Sequence, residues 1–248
     1  MKAKKINILG IWLDMVDLNK AVDIAKDFII SEGAKAIVTP NAEIIMAAQK
    51  NEKLREALNA ADLSFPDGIG VVIASKYLGT PLSERTAGFD LMMEIIRIAH
   101  KMGLSIFLLG GKPGVADEAA RNIQRKFPGI KIAGTNHGYF SEDEEKIIIE
   151  NINKSKPDVL LVAMGAPKQE LFIIRYKNVM KTKIAMGVGG SLDVLSGRVK
   201  RAPVLLQKAG LEWFYRLVTQ PSRIRRMGAL PMFIFKVILS KGKGRNAL

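Results

Sequence analysis

The 248-residue sequence contains no cysteine and only two histidines, His100 and His137. Without cysteine the chain can form no disulfide, no zinc–thiolate site and no thiol nucleophile, and it suits a reducing compartment. Two histidines are too few for a multi-histidine metal site. We therefore expect any chemistry to depend on carboxylates, hydroxyls, amides, arginines and backbone groups.

The sequence also lacks an apolar run long enough to cross a bilayer. The most apolar late stretch, at 229–239, contains Pro231 and Lys236. It falls well short of the roughly 20 residues that a spanning helix needs. The N-terminus has a basic start and a short apolar run, but Asp14 and Asp17 interrupt that run and no small-residue cleavage site follows. We expect a first buried strand there and no secretion.

Acidic residues are almost absent from the end of the chain. Residues 196–248 contain 12 of the 38 lysines and arginines but a single acid, Glu212, so they carry +11 of the formal net charge of +14. Aromatic residues lie among these charges, which is typical of a segment that binds an anionic surface, either a membrane or a nucleic acid. We predict a globular domain over 1–195 and a basic, amphipathic helical appendage over 196–248.

Short β-branched or apolar runs alternate with segments of helical period along the first part of the chain. This pattern predicts an α/β fold, Rossmann-like, with a mostly parallel sheet and helices on both faces. In the appendage the pattern predicts one helix over 204–219, and we expect Pro221 and Pro231 to divide the rest into short pieces. The predicted strands lie in KINILGI, KAIVTP, DLSFPD, SIFLLGG, KIAGTNHG, DVLLVAMGAP and KIAMGVGGSLD.

Polar and glycine-rich residues follow the predicted strands, at the edge where open parallel sheets bind ligands. Asp67 is the strongest candidate for a general base, because Gly68 permits a sharp turn that would direct the carboxylate into the crevice. Alternatively, Asp67 caps the helix that follows it. The turns at 110–114 and 187–193 can each bind a phosphate through backbone N–H groups, or can be ordinary tight turns.

Four other polar residues near the predicted strand ends have both a binding and a structural interpretation. Thr39 and Asn41 flank Pro40, and their side chains can bind sugar hydroxyls or cap the next helix. Arg85 is an anion ligand or a solvated loop charge, and Gln169 begins a helix from which it can point inward. Their convergence on one edge favours a binding site.

Six segments together resemble the WecG/TagA/CpsF glycosyltransferases, in the order of that family and over almost the whole chain. The resemblance implies an inverting transfer from a UDP-sugar to a lipid-diphosphate sugar, on the cytoplasmic face of the membrane. The segments are TPNAE (39–43), FPDGIGVV (65–72), ERTAGFDLM (84–92), FLLGGKPGVA (107–116), MGAPKQE (164–170) and GVGGSLDVLSGRVKRAP (187–203).

The basic, tryptophan-containing tail is most similar to the TagA branch of that family. This branch adds N-acetylmannosamine to polyprenyl-diphosphate-linked N-acetylglucosamine in wall teichoic acid assembly. A donor that carries N-acetylmannosaminuronic acid or glucose, for another surface polysaccharide, is the alternative that the same resemblance leaves open.

The resemblance also implies residue roles. Asp67 matches the base that removes the proton from the acceptor hydroxyl. Polar pocket positions that would orient the sugars or the diphosphate are matched by Thr39, Asn41, Arg85 and Gln169. UDP is expected near Gly111 and Gly189, with Asp193 accepting from a ribose hydroxyl or a base edge; Asp193 can also be a helix cap.

No DxD motif is present, so we expect no divalent metal cofactor, and another group must neutralise the diphosphate. Arginine side chains suit diphosphate oxygens, and we expect them from the tail: Arg216, Arg223 and Arg226. A membrane-bound form with the tail closed over the site would be active. The same apolar faces can instead be buried between copies of this chain, in a homo-oligomer.

Two other function classes fit the sequence less well. A nicotinamide-dependent oxidoreductase is disfavoured because the first strand and turn, ILGIWLD, lack the glycine fingerprint. The basic balance, with aromatics among the charges, is also typical of nucleic-acid binding. Because the stretch 229–239 is strongly apolar, we expect a lipid surface as the partner and no nucleic acid.

Overall fold

A computed structural model describes residues 3–82, 87–219 and 228–245 of the chain. They form a two-stranded antiparallel hairpin and a six-stranded sheet of order β4-β3-β8-β7-β5-β6. Every neighbouring pair in the larger sheet is parallel. The strands are β1 (Lys5–Ile8), β2 (Ile11–Asp14), β3 (Lys35–Val38), β4 (Leu63–Ser64), β5 (Ser105–Gly110), β6 (Lys131–Asn136), β7 (Val159–Ala163) and β8 (Ile184–Gly187).

Several helices begin at a side-chain cap. Asp17, Asn41 and Asn51 each accept a hydrogen bond from the backbone N–H three residues ahead, at 2.8–3.0 Å. The helices are α1 (Leu18–Ile30), α2 (Ala42–Ala48), α3 (Glu52–Asn59), α4 (Ile69–Tyr77), α5 (Gly88–Met102), α6 (Val115–Lys126), α7 (Glu145–Ser155), α8 (Lys168–Tyr176), α9 (Ser191–Leu195), α10 (Val204–Lys208), α11 (Glu212–Thr219) and α12 (Ala229–Arg245).

Helices cover both faces of the parallel sheet. In β5, Ile106 and Leu108 belong to a buried cluster with residues of α1, α5 and α6. The alternate residues Phe107 and Leu109 belong to a different cluster, with residues of α7 and α8. Successive strand side chains point to opposite faces, so the two clusters lie on opposite sides of the sheet. The predicted α/β architecture is confirmed.

A third cluster joins the hairpin, α2, α4 and the last helix. Phe233 and Val237 of α12 are 0% and 2% exposed, and they share this cluster with Ile8 and Leu13 of the hairpin. Leu230 packs directly on α4, because a Cβ added at Gly70 would lie 2.6 Å from it. Apolar packing therefore holds α12 against the body of the protein, and the predicted division into domains at residue 196 stays a prediction.

The N-terminal apolar run differs from the prediction, because it is not a strand of the parallel sheet. The backbone reverses at Leu9 and Gly10, whose φ angles are 53° and 84°. Positive φ at both central residues is the geometry of a tight two-residue hairpin turn. Asn7 supports the turn by accepting a hydrogen bond from the Gly10 N–H at 2.9 Å. The parallel sheet consequently begins at β3.

The C-terminal helices also differ from the prediction. The segment 204–219 is not one helix, because Gly210 has a φ of 72° and separates α10 from α11. Pro231 does not divide the tail: it lies in the first turn of α12, a single helix of 17 residues. In a first turn the backbone N–H has no helical partner, so proline breaks no hydrogen bond there. Pro221 lies outside the described residues.

Candidate active site

The carboxyl ends of all six parallel strands open into one cleft of about 1100 Å³. This is large for a ligand pocket, since such pockets usually measure roughly 300–1000 Å³. The predicted edge of the sheet therefore borders a cavity that is large enough for a ligand. Lining segments follow the strands as Thr39 to Ile44, Asp67 to Gly70, Gly111 and Lys112, Gly138 to Ser141 with Glu144, Ala163 to Gln169 and Val188 to Asp193.

Asp67 lies in the cleft and does not cap the helix that follows it. The N-cap of α4 is Gly68, with a φ of 84° and no side-chain hydrogen bond. The Asp67 carboxylate instead accepts a hydrogen bond from the Gly88 N–H, at 3.2 Å on Oδ1. Its own N–H donates to Pro40 O at 3.1 Å. A partly buried carboxylate is thus held between the ends of β3 and β4 and the start of α5.

Thr39 and Asn41 line the same cleft but already have structural contacts. The Asn41 side chain caps α2 by accepting from the Ile44 N–H at 3.0 Å, as the structural interpretation of the sequence proposed. Thr39 is buried, and its hydroxyl lies 3.5 Å from Gly187 O. A Cβ added at Gly88 would lie 3.0–3.1 Å from the Thr39 side chain. Both residues therefore shape the wall of the cleft.

Gln169 links the two loops at the centre of the cleft. Its Oε1 accepts hydrogen bonds from the Gly165 N–H at 3.2 Å and from the Gly189 N–H at 3.0 Å. One loop follows β7 and the other follows β8. The side chain is 3% exposed. An inward orientation of Gln169 was one of the two interpretations from sequence, and in the structure its oxygen is bonded to the protein's own backbone.

Glu170, which sequence analysis did not single out, is buried beside Gln169. It is 1% exposed, and its Oε1 accepts from Gln169 Nε2 at 2.8 Å. Within the part of the chain that the structure describes, its Oε2 has no hydrogen-bond partner. Burial raises the pKa of the Glu170 carboxyl, with the Gln169 contact opposing this effect. Phe172 and Ile173 of α8 are also buried, but the sequence pattern does not show that a carboxyl residue of this helix is buried with them.

In each of the two glycine turns, one backbone N–H group is already bonded within the protein. The Gly111 N–H donates to Ala163 O at 2.9 Å, and the Gly189 N–H is bonded to Gln169. Glycine suits position 111 for two reasons. Its φ of 72° lies in the left-handed region, and a Cβ there would lie only 2.6 Å from the Val115 side chain. Asp193, on α9, also lines the cleft. Binding of UDP near these residues stays a prediction.

The described part of the cleft has more acidic than basic side chains. Of its two lysines, Lys168 donates to the Gly138 and Phe140 carbonyls at 3.3 and 3.0 Å. Lys112 is exposed on the turn after β5. Sequence analysis did not propose Lys112 as an anion ligand, although it stands in the GGKPG segment. The carboxylates are Glu43, Asp67, Glu144, Asp193 and Glu212.

The C-terminal segment forms part of the cleft wall through residues of α11 and α12. Its beginning is attached to the body by two bidentate ion pairs. Arg201 donates to Asp90 of α5 at 2.7 and 2.9 Å and lies over the Phe89 ring at 4.4 Å. Arg198 donates to Glu118 of α6 at 2.6 and 2.8 Å. The cleft residues from this segment are Gly210, Glu212, Trp213, Ala229 and Leu230.

Four predicted ligands cannot be placed in the cleft. Arg85, Arg223 and Arg226 lie outside the described residues, and of Arg216 only the backbone, in α11, is described. Within 3–82, 87–219 and 228–245, no group of three His, Asp or Glu side chains converges to hold a metal ion. The same residues include no helix that is long and apolar enough to cross a membrane.

The sequence is similar to known glycosyl transferases along almost its whole length. The model of the glycosyl transferase WecG/TagA/CpsF family matches residues 6–247. A relative from Bacillus spizizenii is 40% identical over 241 residues, covering 96% of this chain and 91% of the relative. One from Staphylococcus aureus strain MRSA252 is 37% identical over 245 residues, covering 98% and 96%. Both are named N-acetylglucosaminyldiphosphoundecaprenol N-acetyl-beta-D-mannosaminyltransferase.

Proposed function

The chain belongs to the WecG/TagA/CpsF family of glycosyl transferases, and from this premise we propose its reaction. It transfers N-acetylmannosamine, with inversion, from UDP-N-acetylmannosamine to N-acetylglucosaminyl-diphospho-undecaprenol, in wall teichoic acid linkage-unit synthesis. The observation that carries this proposal is the identity of 37–40%, over 96–98% of the chain, to relatives named for that acceptor and that sugar.

Asp67 is the general base of the proposed reaction. An acceptor hydroxyl attacks the anomeric carbon, the bond from that carbon to UDP breaks, and the hydroxyl proton passes to the carboxylate. Its position supports this role, because the carboxylate lies in the cleft and the Gly88 N–H orients it. The alternative interpretation from sequence, capping of α4, has less support, because the N-cap residue of that helix is Gly68.

The diphosphate needs positive charge, which the described cleft provides only sparsely. Its lining contains five carboxylates and two lysines, one of which is bonded to backbone carbonyls. We propose that Lys112 and the arginines predicted from sequence, Arg85, Arg216, Arg223 and Arg226, neutralise the UDP leaving group. Because the sequence has no DxD motif, this charge would take the place of a divalent metal.

The acceptor is a membrane lipid, and the C-terminal helices have side chains that suit a membrane surface. Leu205 is 81% exposed, and Phe214 and Phe235 are 48% and 57% exposed. Lys208 and Lys236 lie on the same helices. Basic helices with exposed aromatic and aliphatic side chains bind anionic lipid interfaces. We propose that the enzyme acts at the inner face of the bacterial cell membrane as a peripheral protein.

The proposed reaction is tested by transfer of label from UDP-N-acetylmannosamine to a short-chain N-acetylglucosaminyl-diphospholipid in the presence of EDTA. Wild type is compared with Asp67→Asn, which keeps an acceptor for the Gly88 N–H but cannot take up the proton. We expect product from wild type and a loss of about 10²–10⁴-fold in the variant, the usual contribution of general base catalysis. Asp23→Asn, on the exposed side of α1, is the control for the same substitution away from the cleft.

Each other result has a defined meaning. No product from wild type, even with vesicles and added metal, would overturn the donor assignment, and UDP-glucose and UDP-N-acetylmannosaminuronic acid would be the next donors. If product forms only with a divalent metal, the proposal that the enzyme needs no metal is wrong, but the proposed donor and acceptor are unaffected. Full activity in Asp67→Asn would remove Asp67 from the role of base.

A further inference from the structure

The side-chain amide of Gln169 has only one orientation that satisfies its neighbours. Two backbone N–H groups, of Gly165 and Gly189, point at the same atom. Only the amide oxygen can accept two hydrogen bonds, so the backbone itself defines which end is Oε1. The opposite end, Nε2, therefore faces away from both loops and has two N–H groups to donate.

Glu170 holds the nitrogen end of that amide. Its Oε1 accepts from Gln169 Nε2 at 2.8 Å. The terminal torsion of a glutamine is broad and has no strongly preferred value, so the amide plane is fixed by its partners rather than by its own rotamer. With both ends bonded, the Gln169 amide becomes a rigid link between the loops after β7 and β8.

Space around the link is tight. A Cβ added at Gly187, the last residue of β8, would lie 3.0 Å from Gln169 Nε2 and 3.4 Å from Cδ. Glycine at this position lets the amide lie directly against the strand. A small rotation of the amide would therefore shift either β8 or the glycine loops that line the cleft.

Stability alone does not explain a carboxyl at position 170. The side chain is 1% exposed, and within the described residues its Oε2 has no partner. A buried polar atom without a hydrogen bond destabilises the folded state, whereas an apolar side chain of the same length would fill this space without that penalty. An apolar residue would, however, provide no hydrogen-bond acceptor for Gln169 Nε2, as Oε1 of Glu170 does.

We propose that Glu170 is a positioning residue for the transfer reaction: by holding Gln169 it sets the distance between the β7 and β8 loops that receive the sugar nucleotide. The proposal rests on the proposed function, because it takes that nucleotide to be bound in this cleft. Glu170 acts through Gln169 and the two glycine amides, without touching the substrate.

Two substitutions separate the acceptor from the volume of the side chain. Glu170→Gln keeps an oxygen that can accept from Gln169, whereas Glu170→Met has a similar length and no such acceptor. Purified enzymes are compared for kcat and for the KM of UDP-N-acetylmannosamine. Hydrogen–deuterium exchange is measured in peptides that cover residues 164–170 and 187–193, with the protein free and with UDP.

We expect Glu170→Gln to stay within about two-fold of wild type, and Glu170→Met to lose kcat by about 10–100-fold, since a misplacement of roughly 1 Å can cost about 10² in rate. Exchange at the Gly165 and Gly189 amides should be faster in Glu170→Met only. If Glu170→Met does not fold, Glu170→Leu provides the same comparison.

Asp158→Leu is the matched control. Asp158 makes an equivalent link at the opposite end of the sheet, where its Oδ2 accepts from the Ser105 N–H at 2.8 Å and the Ser105 hydroxyl at 3.0 Å. Removing it should lower the Tm and leave kcat and the exchange of the two loop peptides unchanged.

Wild-type kcat together with wild-type exchange in Glu170→Met would overturn the proposal. A loss of kcat that Glu170→Gln shares would do so too, because the acceptor would then be irrelevant. The exchange measurement requires no turnover. If wild type transfers no UDP-sugar, the proposed function is wrong, but the role of Glu170 can still be tested by exchange. Faster exchange of the two loop peptides in Glu170→Met would then support the link that Glu170 and Gln169 form between the loops, and unchanged exchange would reject it.

Discussion

At the scale of single residues, Glu170 should make stability depend on pH. Burial raises the pKa of its carboxyl above the ordinary value of 4.5. The folded state therefore holds this proton more strongly than the unfolded chain, so its stabilising effect is complete below pH 4.5 and is lost as the pH rises through the raised pKa. Glu170→Gln cannot ionise, and its Tm relative to wild type should increase as the pH rises from 4.5 into the neutral range.

Thermal unfolding of both proteins across this pH range measures the effect. The pKa of Asp14 is also raised by burial, but Asp14 is present in both proteins and cancels in the difference. Glu150→Gln makes the same substitution on an exposed part of α7 and controls for the loss of a surface charge. A difference in Tm between wild type and Glu170→Gln that is the same at every pH would contradict the expected titration.

Residue-level prediction from the sequence succeeded where a short local pattern determines the position. Asp67 follows a strand and precedes a glycine, and both features place it in the cleft. The sequence left open whether Asp67 or Asn41 would be a helix cap. Only the structure separates them, because the cap at Asn41 is local whereas the partner of Asp67, Gly88, lies 21 residues away. Glu170 was missed since its burial depends on how α8 packs.

At the scale of elements, the contact of Arg201 with α5 attaches the C-terminal segment to the helix that supports Asp67. Asp90, its ion-pair partner, is two residues from Gly88, whose N–H orients the Asp67 carboxylate. Arg201→Gln should lower kcat several-fold and reduce stability by about 1 kcal/mol, as expected for a bidentate but partly exposed pair. Initial rates and urea unfolding measure the two effects.

Arg198→Gln is the comparison for this prediction, because Arg198 belongs to the same segment and makes its bidentate pair with Glu118 of α6 and not with Asp90 of α5. It should keep a higher kcat than Arg201→Gln, and it should change stability little, because this ion pair is exposed. Equal losses of kcat in the two variants would mean that any loosening of the segment slows the enzyme, and that Asp90 has no special importance.

The prediction of helices and strands from sequence was wrong at three places, where one backbone angle or the position of one residue determines where an element begins or ends. Leu9 and Gly10 reverse the chain into a hairpin, and Gly210 breaks the predicted helix 204–219. Periodicity does not report φ, so these turns were not visible in the hydrophobic pattern. Pro231 was expected to end a helix, but a proline in a first turn is compatible with one. The βα alternation, by contrast, repeats often enough that single errors do not change the fold.

At the scale of the whole molecule, the parallel sheet collects six strand ends into one cleft, while the hairpin and α12 share a separate core cluster behind α2 and α4. The C-terminal segment is therefore part of the folded core, and it cannot be removed without affecting the rest of the protein. Deleting it entirely would expose the cluster around Phe233 and Val237, and the resulting loss of activity would say nothing about membranes. Surface substitutions are the informative experiment.

The double variant Leu205→Ser with Phe235→Ser therefore tests membrane association without touching the core. Both residues are exposed, at 81% and 57%, and full burial of such side chains in lipid is worth about 1.5–3 kcal/mol each. Even half-immersion should make binding to anionic vesicles weaker by about 10-fold or more. Co-sedimentation with vesicles at two salt concentrations measures the change in binding. Activity on a water-soluble acceptor analogue should stay within about two-fold of wild type, since neither side chain lines the cleft.

Ile30→Ser is the control, because Ile30 is 77% exposed on α1, away from the C-terminal helices. It should leave vesicle binding unchanged. Unchanged vesicle binding in the double variant would reject α10 and α12 as the membrane surface. If the same variant instead converts a homo-oligomer to monomers in sedimentation velocity, these helices are a subunit interface. Salt-dependent binding of wild type to RNA or DNA in place of vesicles would favour the nucleic-acid interpretation, because phosphate contacts with basic helices weaken steeply with salt.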